Sequence, residues 1–145
     1  MTFWDSSALV PLIVEEAASP SCRALLSSGP STTSVVVWTL SILEVTSSLQ
    51  RKRREGGLDA SETQVALARL DALAATWTEV SAVAPIKAKA RRLLAVHVLR
   101  AADAMQLAAA LVMAEDDPTG VSFVTMDLRL RDAALREGFI VPTVS

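Results

Sequence analysis

VSFVTMDLRLRDAALREGFIV, residues 121–141, changes its apolar period halfway along. VSFVTM is a short run rich in β-branched and aromatic residues, which reads as a buried strand, whereas DLRLRDAALRE spaces its apolar residues for a helix. Asp127 is a favoured helix N-cap, Gly138 a favoured helix stop, and FIV reads as a further short strand. A strand that runs straight into a helix and then returns to a strand is the unit of a parallel sheet, because parallel neighbours need a long crossover between them.

The same alternation extends towards the N-terminus. TFWD is β-prone and leads into SSALVPLIVEE, where Ser6 or Ser7 can cap a helix and Pro11 is tolerated only in an early turn. A polar stretch containing Ser27, Ser28, Gly29 and Pro30 precedes TTSVVV, a second strand. From Trp38 to Arg54 the residues Trp38, Ile42, Val45 and Leu49 fall on one helical stripe, ended by Gly56 and Gly57. Asp59 and Glu62 stand at capping-box spacing before the next helix, WTEVSAV is a short strand, and Lys87–Val98 and the run headed by Asp103 are two further helices. EDDPTG then breaks the chain. Strands alternating with helices predict an α/β fold with a mostly parallel sheet covered on both faces, and the length suits one domain over residues 1–145.

Composition excludes several classes. Fourteen Lys and Arg against sixteen Asp and Glu give a net charge of −2, so charge alone does not drive nucleic-acid binding. Cys22 is the only cysteine, which rules out an intrachain disulfide and suits a reducing cytoplasm. The N-terminus lacks a basic n-region before its apolar run and does not read as a secretory signal. Residues 93–114 approach membrane-spanning length, but Arg100 and Asp103 near their middle would each cost about 2.5–3.5 kcal/mol to insert, so no membrane association is expected.

Four acids stand out against this frame. Asp5 follows the first strand and Asp127 the strand VSFVTM, and ligands of open α/β sheets bind beyond the carboxyl ends of the strands. Glu44 lies on the helix face of Ser41 and Ser48, and Asp103 carries the one charge of AADAMQLAAALVMA, residues 101–114. Each also has a structural reading: Asp5, Asp103 (with Gln106 three positions on) and Asp127 as helix caps, Glu44 as a solvated side chain. Carboxylates brought to one edge repel one another unless a hard divalent cation offsets them, and Mg²⁺ or Mn²⁺ suits that role. With no usable Ser/His/Asp or Cys/His set in the chain, the chemistry expected is metal-assisted hydrolysis of a phosphodiester.

The patterns FWDSSALVPLIVEE, SILEVTSSLQRKR, LRAADAMQLAAAL and FVTMDLRLRDAA, in this order over nearly the whole chain, resemble PIN-domain ribonucleases, and the size resembles the VapC toxins of bacterial toxin–antitoxin pairs. The resemblance implies a three-layer α/β/α fold, Asp5, Glu44, Asp103 and Asp127 as the catalytic, metal-binding acids, and Ser7 and Thr125 as hydroxyls that support them. It also implies an RNA substrate and a VapB-like antitoxin. We expect that partner to pack on an apolar groove beside the Trp38–Arg54 helix and to extend a cation towards Asp5 and Asp103, and we expect a homodimer formed through helices within residues 60–98.

The basic run Arg51, Lys52, Arg53 and Arg54 is a candidate RNA contact, with a solvated helix end as the competing reading. Lys87, Lys89, Arg91 and Arg92 share that ambiguity. His97 in LLAVHVL reads as a core or interface residue, and Trp4, Trp38 and Trp77 as core. No glycine-rich phosphate loop is present. A housekeeping RNA-processing nuclease and a non-catalytic acidic-pocket binding module are the alternatives to a toxin.

Overall fold

The computed structural model describes residues 1–28 and 35–145. Strands β1 (Thr2–Trp4), β2 (Val35–Trp38), β3 (Thr78–Val80) and β4 (Ser122–Val124) form a sheet in the order β3-β2-β1-β4. All three pairings are parallel, with Phe3 opposite both Val36 and Phe123. The helices are α1 (Ser6–Ile13), α2 (Ser19–Ser27), α3 (Ser41–Arg54), α4 (Ala60–Ala74), α5 (Val83–Val96), α6 (Ala101–Met113) and α7 (Leu128–Glu137).

Strand alternation splits the core in two. Phe3, Val36, Trp38 and Phe123 face α5, α6 and α7, where Ile86, Leu93, Leu107 and Leu130 are buried. Trp4, Val35, Val37 and Val124 face the opposite way, onto Leu9 and Ile13 of α1, Val45 and Leu49 of α3, and Leu70 of α4. Successive side chains of a strand point to opposite faces, so fully apolar strands produce this three-layer α/β/α sandwich. On one face Phe3 stacks on Phe123, with centroids 5.4 Å apart, and Phe139 packs on Phe123 at a tilt, with centroids 5.7 Å apart.

Several local expectations are met. Asp59 and Glu62 form the capping box of α4, and Gly138, at φ 104°, closes α7 in the left-handed conformation that glycine adopts without strain. The His97 side chain is buried beside Glu137, whose carboxylate lies 2.7 Å from its Nε2. Trp4 and Trp38 are core residues and Trp77 packs at its edge.

Others need correction. Trp38 ends β2 and faces α5 and α6, so it does not share the stripe of Ile42, Val45 and Leu49 on α3; it matches their spacing because a strand ends where that helix's period begins. FIV is no full strand: only Ile140 bridges to Ser122. Helix α1 stops at Ile13, before the glutamates, and Pro11 sits in its second turn, where the missing N–H costs the bond to the Ser7 carbonyl. Helix α2 was not expected, because SPSCRALLS has little apolar period and buries only Ser19 and Cys22. Of TTSVVV, Thr32, Thr33 and Ser34 lie outside the described residues, as do Gly29 and Pro30. Among the described residues no single helix is long and apolar enough to cross a membrane; α5 and α6 meet at 119°.

Candidate active site

Because the strands are all parallel, their carboxyl ends lie at one edge, and the order β3-β2-β1-β4 places the reversal of strand order between β1 and β4. Asp5 follows β1 there and Thr125 follows β4; the Asp5 N–H donates to the Val124 carbonyl at 3.0 Å. Asp5 takes the backbone position of an α1 N-cap, yet its side chain caps nothing. Ser7 and Thr125 both donate hydroxyl hydrogen bonds to its Oδ2, the latter at 2.8 Å. Behind them, the Met126 N–H donates to Ser7 Oγ at 2.9 Å and the Asp127 N–H to Thr125 Oγ1 at 3.0 Å. The β4–α7 turn is thereby stitched to Asp5 through two hydroxyls.

Glu44, in the first turn of α3, is held from two sides. Gln106 Nε2 donates to its Oε1 at 2.8 Å and Ser6 Oγ to its Oε2 at 3.3 Å. Gln106 is fully buried on α6 and also donates to Ser41 Oγ at 3.1 Å. Asp103 stands one turn before Gln106, in the first turn of α6, whose N-cap is Arg100 rather than Asp103. Asp127 does cap α7, its Oδ1 accepting the N–H groups of Arg129 and Leu130. The capping reading therefore holds for Asp127, holds for Asp5 in backbone only, and fails for Asp103.

The acids feel one another. Burial pushes the Asp5 carboxyl above the usual carboxylate range, the Ser7 and Thr125 hydroxyls pull it back, and the Asp103 charge adds to the rise. Glu44 is raised first by burial and then by Asp5 and Asp103, against the Gln106 hydrogen bond. Asp103 is raised by burial and by Asp127, while the Arg100 and Arg129 charges oppose the shift. Asp103 and Asp127 line a cleft of about 490 Å³ with Arg100, Ala102, Leu128 and Arg129. Glu44 lines a second, of about 220 Å³, with Ser6, Ser7, Val10, Ser48 and Arg51.

Among the described residues no three His, Cys, Asp or Glu side chains are gathered closely enough to hold one ion between them. Coulombic coupling is longer ranged than coordination, so the two observations agree on a spread set of acids rather than a closed cage. Such a set fits Mg²⁺ or Mn²⁺, which keep several waters and bind through one or two carboxylates, and it does not fit a dedicated all-protein cation site.

Gln106, Ser6 and Ser41 belong to this network and were not singled out in the sequence as supports of Glu44. The signal was there for Gln106: an amide in an apolar helix, three residues after Asp103 and so on its face, must find a partner when buried. The basic candidates divide. Arg51 lines the Glu44 cleft, Lys52 turns to Glu16 at 2.7 Å, and Arg53 and Arg54 are exposed at the end of α3. In the second group Lys89 and Arg92 are paired with Asp116 and Glu137.

No curated protein sequence matches the chain. Its fold is similar to a crystal structure of FitAcB from Neisseria gonorrhoeae, with a TM-score of 0.70 at 15% identity over 99% of this chain and 97% of that one. It is similar also to a structure of FitAB bound to an IR36 DNA fragment, with a TM-score of 0.69 at 14% identity over 98% and 94% of the two chains. The family model described as PIN domain matches residues 2–135, which is nearly the whole chain and spans all four acids. With its parallel sheet, its acids at the carboxyl edge and that match, the chain belongs to the PIN-domain family of nucleases.

Proposed function

We propose that this chain is a Mg²⁺- or Mn²⁺-dependent endoribonuclease acting in the cytoplasm as the toxin of a toxin–antitoxin pair. The observation that carries the reading is the charge coupling among Asp5, Glu44, Asp103 and Asp127 near the carboxyl edge of the sheet, with three of the four carboxyls raised by burial and by one another's charge. Asp5, Glu44, Asp103 and Asp127 would hold the cation, which supplies activation of water and stabilisation of the leaving oxygen in phosphodiester hydrolysis. Ser7 and Thr125 hold Asp5 through hydroxyls, and Gln106 and Ser6 hold Glu44, so the carboxylates keep their places before substrate arrives. Arg51 and its neighbours on α3 offer cations to an RNA backbone beside Glu44.

A protein partner is supported by a groove of about 310 Å³ between the end of α1 and α4, where Ile13, Val14, Leu58 and Val65 alternate with Glu15, Glu62 and Arg69. The cleft beside α3, where that groove was expected, is lined mainly by polar groups. A homodimer is supported by Val83, Leu94, Val96 and Val98, all well exposed on and after α5. The test is cleavage of single-stranded RNA by the purified chain with Mn²⁺ or Mg²⁺, without and with excess chelator. It is joined to growth arrest on expression and its relief by the product of an adjacent small gene. Cleavage undiminished in chelator sinks the metal assignment, and cleavage without growth arrest favours RNA processing over a toxin.

A further inference from the structure

We infer that Arg100 and Arg129 form a clamp for the phosphodiester backbone of an RNA strand at the rim of the acidic cleft; the inference rests on the ribonuclease reading of that site. Arg100 is the N-cap residue of α6 and Arg129 lies in the first turn of α7, and both line the cleft of about 490 Å³ that holds Asp103 and Asp127. Both are exposed, and among the described residues neither enters an ion pair. Three of the eleven arginines, Arg23, Arg92 and Arg136, do reach a carboxylate, at 2.9, 2.7 and 3.3 Å. A guanidinium beside a carboxylate normally forks onto it. The Arg100 and Arg129 charges act on Asp103, yet neither guanidinium is ion-paired to it.

The cleft therefore has an acidic floor and a cationic rim. A bare anion is repelled by the floor, and a bare cation by the rim. A phosphodiester whose oxygens meet a divalent cation on the floor and guanidiniums on the rim satisfies both. Backbone amides do not compete for the phosphate, because Asp127 Oδ1 already takes the N–H groups of Arg129 and Leu130. Leu128, 76% exposed on the same rim, adds apolar surface suited to a nucleobase and of no use to inorganic phosphate. With Arg51 beside Glu44, the guanidiniums mark a backbone path that passes the acids.

The test compares the full chain carrying Arg100→Gln and Arg129→Gln with a control, Arg136→Gln, whose side chain pairs with Asp132. Anisotropy of a fluorescein-labelled single-stranded oligoribonucleotide is read with Mn²⁺ over a salt series, in an Asp5→Asn background so that the strand is not cut. Mn²⁺ binding is read separately by thermal shift with Asp5 intact. The double variant is expected to bind RNA at least tenfold more weakly, with a log–log salt slope smaller by roughly 1.4, about 0.7 for each contact on a single strand. Its Mn²⁺ affinity is expected to hold or rise, since two positive charges near Asp103 are gone, and the control is expected to match its parent. RNA affinity and slope unchanged in the double variant, or RNA binding absent both in the parent and in the chain with Asp5 intact, overturn the clamp. So does Mn²⁺ affinity that falls in step with RNA affinity, because the arginines would then act through the acids. A chain that binds RNA through these arginines and leaves it uncut with Asp5 intact overturns the nuclease reading and keeps the clamp.

Discussion

Thr125 Oγ1 donates a hydrogen bond to Asp5 Oδ2 at 2.8 Å, joining the ends of two adjacent strands across 120 residues of sequence. Ser7 donates to the same oxygen, and the Met126 and Asp127 amides donate to the two hydroxyls, so every proton in the network points towards Asp5. A side chain at position 5 must therefore accept, and it does so while buried and close to Asp103.

Asp5→Asn keeps an acceptor oxygen and removes the charge. In chelator at neutral pH it is expected to melt above the wild type, because a desolvated carboxylate is replaced by a neutral group of the same shape. With Mn²⁺ it is expected to lose nearly all RNA cleavage. Calorimetry in chelator and a cleavage assay check the two halves; a variant that melts lower and still cuts RNA would refute both.

The pH dependence has a defined sign. Asp5, Glu44 and Asp103 have folded-state pKa values raised above 3.8, 4.5 and 3.8, so the folded chain holds protons that the unfolded chain releases. Their contribution to stability is complete below the unfolded values and is lost as pH rises through the folded ones. Glu137, lowered by the Arg92 hydrogen bond, acts in the opposite sense, and its contribution is lost only as pH falls below the ordinary glutamate range. Metal-free protein is thus expected to gain stability as pH falls from neutral towards 5, roughly the upper edge of the ordinary carboxylate range. The Mn²⁺-induced rise in Tm is expected to shrink over that interval, because protons and cation compete for the same oxygens. Denaturant midpoints that fall steadily with pH in chelator would contradict this.

Gln106→Leu tests the tie between α6 and α3. It preserves bulk and removes the donor to Glu44 and Ser41, leaving partly or fully buried acceptors unpaired at an expected cost of about 1–3 kcal/mol. Urea unfolding measures it, together with a weaker Mn²⁺ thermal shift as Glu44 loses its anchor. A loss under about 0.5 kcal/mol, the level of an ordinary surface substitution, would show that the contact carries no stability.

All four acids can be placed in the sequence with respect to their own elements: Asp5 after β1, Glu44 on α3, Asp103 near the start of α6 and Asp127 after β4. Each follows from a local signal, a change of apolar period or a cap. Glu44 was placed correctly on its helix, but nothing local says that its carboxylate meets Gln106, which lies 62 residues later. Trp38 shows the limit from the other side. Its spacing to Ile42 and Val45 is helical, and only pairing of Trp38 with Val80 identifies it as strand.

What the sequence alone determines is the alternation of strand and helix, the apolar strands that demand two covered faces, and the acids that stand at element boundaries; these depend on neighbours a few residues away. The strand order, the burial of Asp5 between Ser7 and Thr125, the anchoring of Glu44 by Gln106 and the separation of Arg51 from Lys52 are decided by tertiary structure. They rest on contacts between segments 38 to 120 residues apart, or, for Arg51 and Lys52, on which way a helix turns when it packs. Parallel register sets those distances, and register is a property of the assembled sheet that no single segment carries.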